Sequence, residues 1–471
     1  MSIDFMEGDG GHTADLETLR VECARHTDYL RALLVESGEG AVADCLPVQG
    51  AGGPPRLTNA VLGDPKLRER AIQAYSIFFH LLNIAEERHA AAARRRAGPD
   101  TEPARGPGWS FPAIVASLAA EGTTGEQIRD VLGRFEIQPV LTAHPTEAKR
   151  VTVLEAHTRI YAELARTLDA AATPDEKRDA EERLRAHIEV LWQTGDIYLE
   201  KPRVSDEVEN GLFYFRESFY PLVPTVITNL YRNLKVAYPG TRFDIPALLQ
   251  FSSWRGGDRD GNPFVTAAVT RETVYRHATF ILDQYIAELD ALIPRFSQSS
   301  LKCAISDELR NAMATAPDRI PGYAAIAARN PREPYRVALG TLKHKLLARR
   351  AALAAHLPKA EWPEPAYREA RDFLADLGNV RRSLEANGGA HAAATWLRPL
   401  EIRVKTFGFH LARLDLRENS EVLENAVDEI ARAAGEPSYL AMDHPARRAW
   451  LRRQIVSERP LVAPWNAYSD A

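Results

Sequence analysis

The chain has 471 residues, 45% of them hydrophobic and 26% charged, the make-up of a globular protein long enough for one large α/β body or two or three ordinary domains. Its 59 Lys and Arg stand against 64 Asp and Glu, a net charge of -5, so there is no global basic field for nucleic acid or an anionic membrane, and any anion site must be local. Cys23, Cys45 and Cys303 lie far apart with no C-x-x-C pair, which argues against a disulfide framework or a zinc ribbon and fits a reducing cytoplasm.

The N-terminal stretch MSIDFMEGDGGHTADLE has neither the basic nor the apolar region of a signal peptide, and no uncharged apolar run nears membrane-spanning length. The expectation is a cytoplasmic protein without a membrane or nucleic-acid partner. Residues 1–56 read as an N-terminal extension and helix, and residues 57–471 as the main body. After an Asp64-Pro65 start signal, Leu67, Ala71, Tyr75, Phe78, Leu82 and Ala85 recur at steps of three and four, predicting a helix over 66–89 with one buried stripe. Residues 91–108 combine a basic cluster with Gly and Pro and read as a mobile surface loop.

The first strand-like stretch, EIQPVLTA, leads into His144-Pro145-Thr146-Glu147. Proline after His144 biases it to extended geometry, and Thr146 with Glu147 suits a helix start, so the imidazole would be fixed at a strand end. Such a histidine serves as a general base, an anion contact or simply a structural hydrogen bonder. Pro139 weakens the strand reading, because a proline removes one ladder hydrogen bond unless it lies at an edge or a strand start. Downstream, Thr173-Pro174-Asp175-Glu176 forms a capping box opening a helix toward Trp192.

A second strand-like stretch, ALLQFSSW, runs into Arg255-Gly256-Gly257-Asp258-Arg259-Asp260-Gly261-Asn262-Pro263. The glycines permit close backbone approach, and exposed N–H groups with Arg255 and Arg259 could receive an oxyanion; a charged glycine-rich surface turn is the other reading. Neither the P-loop nor the dinucleotide fingerprint is matched. A helix over REARDFLADLGNVRRSLEANGG stops at Asn387-Gly388-Gly389. The third strand-like stretch, TFGFHLARLDLREN from Thr406 to Asn419, places Arg413, Asp415 and Arg417 on one face by its period of two, with His410, Ala412, Leu414 and Leu416 on the other. Two guanidinium groups with an aspartate between them would suit a carboxylate or phosphate, or would form a salt-bridged edge facing water. Ligands of α/β barrels and open α/β sheets sit at the carboxyl ends of strands, which makes strand followed by polar cluster the arrangement of a shared site.

VLTAHPTE, SSWRGGDRDGNPFVT and TFGFHLARLDLREN, supported by LLNIAEERH and LWQTGDI, together resemble successive motifs of the phosphoenolpyruvate carboxylase family, over nearly all of the chain after about Leu57 but only about the first half of a family member. The resemblance implies a mainly α-helical α/β fold, the opening part of a (β/α)8 barrel embedded in many extra helices, with the barrel incomplete in this chain. It implies an enzyme that joins bicarbonate to phosphoenolpyruvate, giving oxaloacetate and phosphate with Mg2+, and commonly a homotetramer. Bicarbonate attacks the phosphoryl group to form carboxyphosphate and pyruvate enolate, and the enolate then captures carbon dioxide. His144 matches the family's catalytic histidine, which removes the carboxyphosphate proton. Arg417 matches an arginine that holds the substrate phosphate, and Arg259 and Asp258 fall in a motif near the same site.

The chain also departs from the family pattern. T-E-x-x-R-R is here Thr146-Glu147-Ala148-Lys149-Arg150-Val151, so the second basic residue is lost. The family's metal-binding Glu and Asp, its catalytic lysine and its glycine-arginine loop belong to the second half, which leaves no metal ligands in this sequence. Three readings follow: a truncated carboxylase, one half of a split carboxylase that needs a polypeptide with the missing C-terminal half, or a non-catalytic helical anion-binding protein.

Overall fold

The computed structural model describes residues 11–47, 57–96, 110–142, 150–195, 203–244, 246–260, 262–463, 466 and 468–469. Helices dominate, and a small parallel sheet of three strands accompanies them. No helix among the described residues is long and apolar enough to cross a membrane. The contacts divide the chain into two units, Met1–Glu121 with Thr146–Pro202 and Gly122–Pro145 with Arg203–Ala471.

The first unit is helical, built on Gly11–Glu36, Pro65–Arg96, Val151–Thr167 and Pro174–Gln193. Asp64 starts the second of these by accepting from the Lys66 N–H at 2.8 Å. Its fully buried line is Ala71, Ala74, Ile77, Leu81 and Ala85, while Tyr75, Phe78 and Leu82 flank it half-buried. The small alanines admit close helix approach, and the bulky residues drawn into the stripe by spacing alone lie at its margins. The helix continues to Arg96, so its last turns occupy part of the 91–108 stretch read as loop; alanine and arginine there are strong helix formers. The capping box holds as written: the Glu176 N–H donates to Thr173 Oγ1 at 3.3 Å, and the Thr173 N–H to Glu176 Oε2 at 2.8 Å. Leu184, Ile188 and Trp192 from that helix close the core with Leu30, Leu34, Ile160 and Leu164.

In the second unit the strands are β1 (Val140–Leu141), β2 (Ser252–Ser253) and β3 (Arg413–Leu414), parallel and ordered β1-β2-β3, with Val140, Ser252 and Arg413 in register. All three begin where apolar sequence runs into polar clusters, yet each is much shorter than the sequence reading. Pro139 cannot donate, so before β1 the ladder keeps only its carbonyl, which accepts from the Ser252 N–H at 3.0 Å, and an isolated bridge at Ile137. In the third stretch Thr406 and Phe407 are the last residues of the Arg398–Phe407 helix. Gly408 (φ +54) and Leu411 (φ +64) turn the chain before β3 begins at Arg413, so the alternation does not reach back to His410 and Ala412.

β2 is the central strand. Its Ser252 and Ser253 are buried, and Phe251 just before it stacks on Phe407 at 5.5 Å and meets Phe215 edge-on at 5.5 Å. These rings join the β2 approach to a core from the Tyr220–Ala237, Ala267–Leu292, Pro334–Ala354 and Ala370–Ala386 helices. The last of these ends as expected, with Gly388 at φ +86 and the Gly389 N–H returning to the Leu384 carbonyl at 2.7 Å.

Candidate functional site

Immediately after β2 the chain folds back on itself. The N–H groups of Gly257 and Asp258 both donate to the Trp254 carbonyl, at 2.9 and 2.8 Å, and Gly256 occupies the left-handed region at φ +80. A Cβ on Gly256 would collide with Thr273, and one on Gly257 with the Asp415 carbonyl and Leu414. Both glycines are therefore required by the turn and by its approach to β3.

The polypeptide after β3 fastens this turn. Arg417 donates its N–H to the Gly257 carbonyl at 3.1 Å and accepts from the Arg259 N–H at 2.9 Å, which makes Asp258 and Arg417 a parallel bridge pair. The side chains then meet: Arg417 Nη1 donates to Asp258 Oδ2 at 3.1 Å, and Nη2 lies 3.7 Å from Asp260 Oδ2. Asp258 Oδ1 is engaged separately, accepting from the Asp260 N–H at 3.2 Å. The guanidinium carbon rests 4.2 Å from the centre of the Trp254 ring, and that indole is fixed by donating Nε1–H to Asp415 Oδ2 at 3.2 Å. Arg417 is thus oriented on one edge by carboxylates and on one face by an aromatic ring, with 40% of its side chain open to solvent. Such a cation is pre-set to receive a phosphate or carboxylate.

The expected site residues fall into three groups. Arg417, Asp258 and Arg259 come together: Arg259 Nη1 is 3.8 Å from Glu418 Oε2, and its buried Nε makes no hydrogen bond among the described residues. His144 lies outside the described residues. Arg413 and Arg255 do other work than the sequence suggested. Exposed Arg413 donates to Glu136 at 3.2 Å, and Asp415 takes the Trp254 indole instead of holding a guanidinium. Arg255 is 5% exposed and donates to the Thr142 carbonyl at 3.1 Å and the Glu207 carbonyl at 3.0 Å, so it ties the end of β1 to the Val204–Tyr214 helix. Sequence reasoning missed Trp254 and Asp260. The signal for Trp254 was its place directly before the glycine turn, where an aromatic ring and a guanidinium from the next strand can stack.

The described residues do not fit a magnesium site. They contain no group of three or more His, Cys, Asp or Glu able to hold a metal ion, and Asp258 and Asp260 face the Arg417 guanidinium. A hard divalent cation needs several free oxygen donors.

The family model described as phosphoenolpyruvate carboxylase matches residues 63–471. The chain belongs to the phosphoenolpyruvate carboxylase family. Among similar proteins, the phosphoenolpyruvate carboxylase of Azorhizobium caulinodans is 37% identical over 415 residues, covering 86% of this chain and 43% of the relative. That of Ralstonia nicotianae is 37% identical over 410 residues, 85% of this chain and 40% of the relative; that of Aromatoleum aromaticum is 39% identical over 419 residues, with 86% and 44% covered. The chain spans less than half the length of these relatives.

Proposed function

We propose that this chain supplies the phosphate-holding and proton-accepting part of a phosphoenolpyruvate carboxylase, and that its metal ligands come from polypeptide outside these 471 residues. The observation that carries the reading is the Arg417 guanidinium, oriented by Asp258 and Trp254 at the carboxyl end of a parallel sheet in a chain of that family.

In this reading Arg417 receives the phosphate of phosphoenolpyruvate, and its fixed orientation stabilises the negative charge that builds as bicarbonate attacks phosphorus. Arg259, linked to the same turn through its N–H, adds a second cation to the rim. His144, in the same segment as β1, accepts the carboxyphosphate proton, a task suited to an imidazole near neutral pH. Arg255 assists by holding the Thr142 carbonyl two residues upstream. The strands would be the opening members of a (β/α)8 barrel: in the described sheet β1 and β3 are edges, and Val140 (42%) and Leu416 (67%) are exposed beside them. Exposed apolar residues beside open strands call for a covering partner, so the complement is a polypeptide with the missing C-terminal half.

The test is oxaloacetate formation from phosphoenolpyruvate and bicarbonate with Mg2+, coupled to its reduction to malate. The expected result is no turnover by the chain alone, turnover on adding a polypeptide with the C-terminal portion of a relative, and loss of that turnover in Arg417→Ala. Turnover by the chain alone that disappears in His144→Ala would overturn the claim of an external metal site. Silence with and without the complement, together with retained phosphate binding at Arg417, would favour a non-catalytic anion-binding protein.

A further inference from the structure

Within the second unit, the Tyr220–Ala237 and Arg398–Phe407 helices enclose a cavity of about 540 Å³. Each helix lines it with a single face: Thr228, Tyr231, Arg232 and Lys235 on one, Arg398, Glu401, Ile402 and Lys405 on the other, both at the i, i+3, i+4, i+7 spacing of one helical stripe. The floor is apolar, with buried Ile227 and Phe243. The volume lies in the range that takes a small organic molecule.

The charge in this cavity is one-sided. Six cationic side chains line it against two carboxylates, and both carboxylates are occupied: Glu401 accepts from Arg381 at 2.9 Å, and Asp244 from Lys405 at 3.4 Å. Arg398 stands 5.4 Å from the Tyr231 ring centre and 3.7 Å from Glu385. Arg232, Lys235 and Arg242 make no ion pair among the described residues. A chain with a net charge of -5 has therefore gathered three uncompensated cations around one apolar-floored cleft. Low-dielectric walls focus that field into the cleft and raise the local concentration of anions. Arginine forks match phosphate and carboxylate oxygens alike.

We propose that this cleft is a binding site for a small organic polyanion, one whose charges are phosphate or carboxylate groups and whose carbon skeleton rests on the apolar floor. The site is independent of the carboxylase reading, since none of its residues is among those of the Arg417 assembly.

Calorimetric titration of the whole chain with inorganic pyrophosphate and, separately, with citrate at physiological ionic strength tests it, with the double variant Arg232→Gln/Arg242→Gln alongside. Both residues are exposed, and circular dichroism checks that the variant is folded. The expected result, read in the Arg417→Ala background so that only the cleft is counted, is saturable one-site binding of at least one probe, weakened about tenfold or more when the double variant is added, as fits losing two charge-assisted contacts. Preference for pyrophosphate identifies phosphate esters as the ligand class, and preference for citrate identifies polycarboxylates. No saturable binding of either probe, or equal binding in the variant, would overturn the proposal. Binding that persists in Arg417→Ala shows that the cleft, not the Arg417 site, holds the probe; loss there alone would also overturn it.

Discussion

Arg417 and Asp258 are joined twice, once as a parallel bridge through the main chain and once through a 3.1 Å side-chain hydrogen bond. The backbone sets the register, and the register delivers the carboxylate to the guanidinium. Neither contact is long-range in space, yet the two residues are 159 positions apart in the chain.

Replacing Asp258 with Asn therefore separates orientation from folding. Arg417 is 40% exposed, and a pair in that setting contributes about 1 kcal/mol or less to stability. Under the proposed function, turnover reconstituted with a C-terminal complement should show the Michaelis constant for phosphoenolpyruvate raised about tenfold, the cost of one weakened charge-assisted contact. An unchanged constant in steady-state kinetics would show that Asp258 does not aim Arg417.

Gly256 and Gly257 should resist substitution for different reasons. Alanine at Gly256 is strained at φ +80 and meets Thr273, whereas alanine at Gly257 presses on the Asp415 carbonyl. Each variant should lose about 2 kcal/mol or more in urea unfolding. For Gly257→Ala the Arg417 N–H contact to the loop must also lengthen, so phosphate binding should fall with stability. A Gly257→Ala protein as stable as the parent would contradict the close approach to β3.

Arg255 is a stability determinant in this structure. Arg255→Met keeps most of the buried volume but leaves the Thr142 and Glu207 carbonyls without this donor, and the expected loss is about 2–4 kcal/mol. Lysine should not restore it, because an ammonium lacks the planar fork that reaches two separate carbonyls. Urea midpoints for the two variants decide the point; a stable Arg255→Lys would mean one carbonyl contact suffices.

Acid should weaken both units. Burial, with Arg25 and Arg88 adding to it, pushes His26 down from 6.5 to about 4, and burial, with His410 adding, does the same to His277. The unfolded chain then takes up protons on these imidazoles between about pH 6.5 and 4 while the folded chain does not. Their contribution, on the order of 3 kcal/mol each, is present above pH 6.5 and lost as the pH falls toward 4. His26→Leu should flatten the first unit's share of that slope in unfolding measured at stepped pH, and an unchanged slope would count against the buried neutral imidazole.

Much of this was legible in the sequence because it is local. The Thr173 capping box, the Asp64-Pro65 start and the Gly388 stop are each written within a few residues, and each is used. The strands were placed correctly but drawn too long, since Pro139 and the turn at Gly408 and Leu411 limit pairing in ways that alternation does not register. At the candidate site, the second and third motifs named segments that the structure brings together, but partner choice depends on three-dimensional register. Asp415 lies between Arg413 and Arg417 in sequence, yet it serves Trp254, which is brought to it by β2. Arg255 looks like a surface cation in its glycine-rich setting, yet it is buried, and Thr142 and Glu207 supply carbonyls to it from distant segments.

The spacing of the three strands also dictates when the site can come into being. Arg255 reaches back 113 residues to Thr142, and Arg417 reaches back 159 to Asp258. Such separations carry a large loop-closure cost and belong to late steps of folding. During synthesis the helices between Ala267 and Phe407 emerge before β3 does, so they can gather their core while the glycine turn still lacks its clasp. The Arg417 assembly is then completed only when the segment from Arg413 to Arg417 leaves the ribosome and settles against β2.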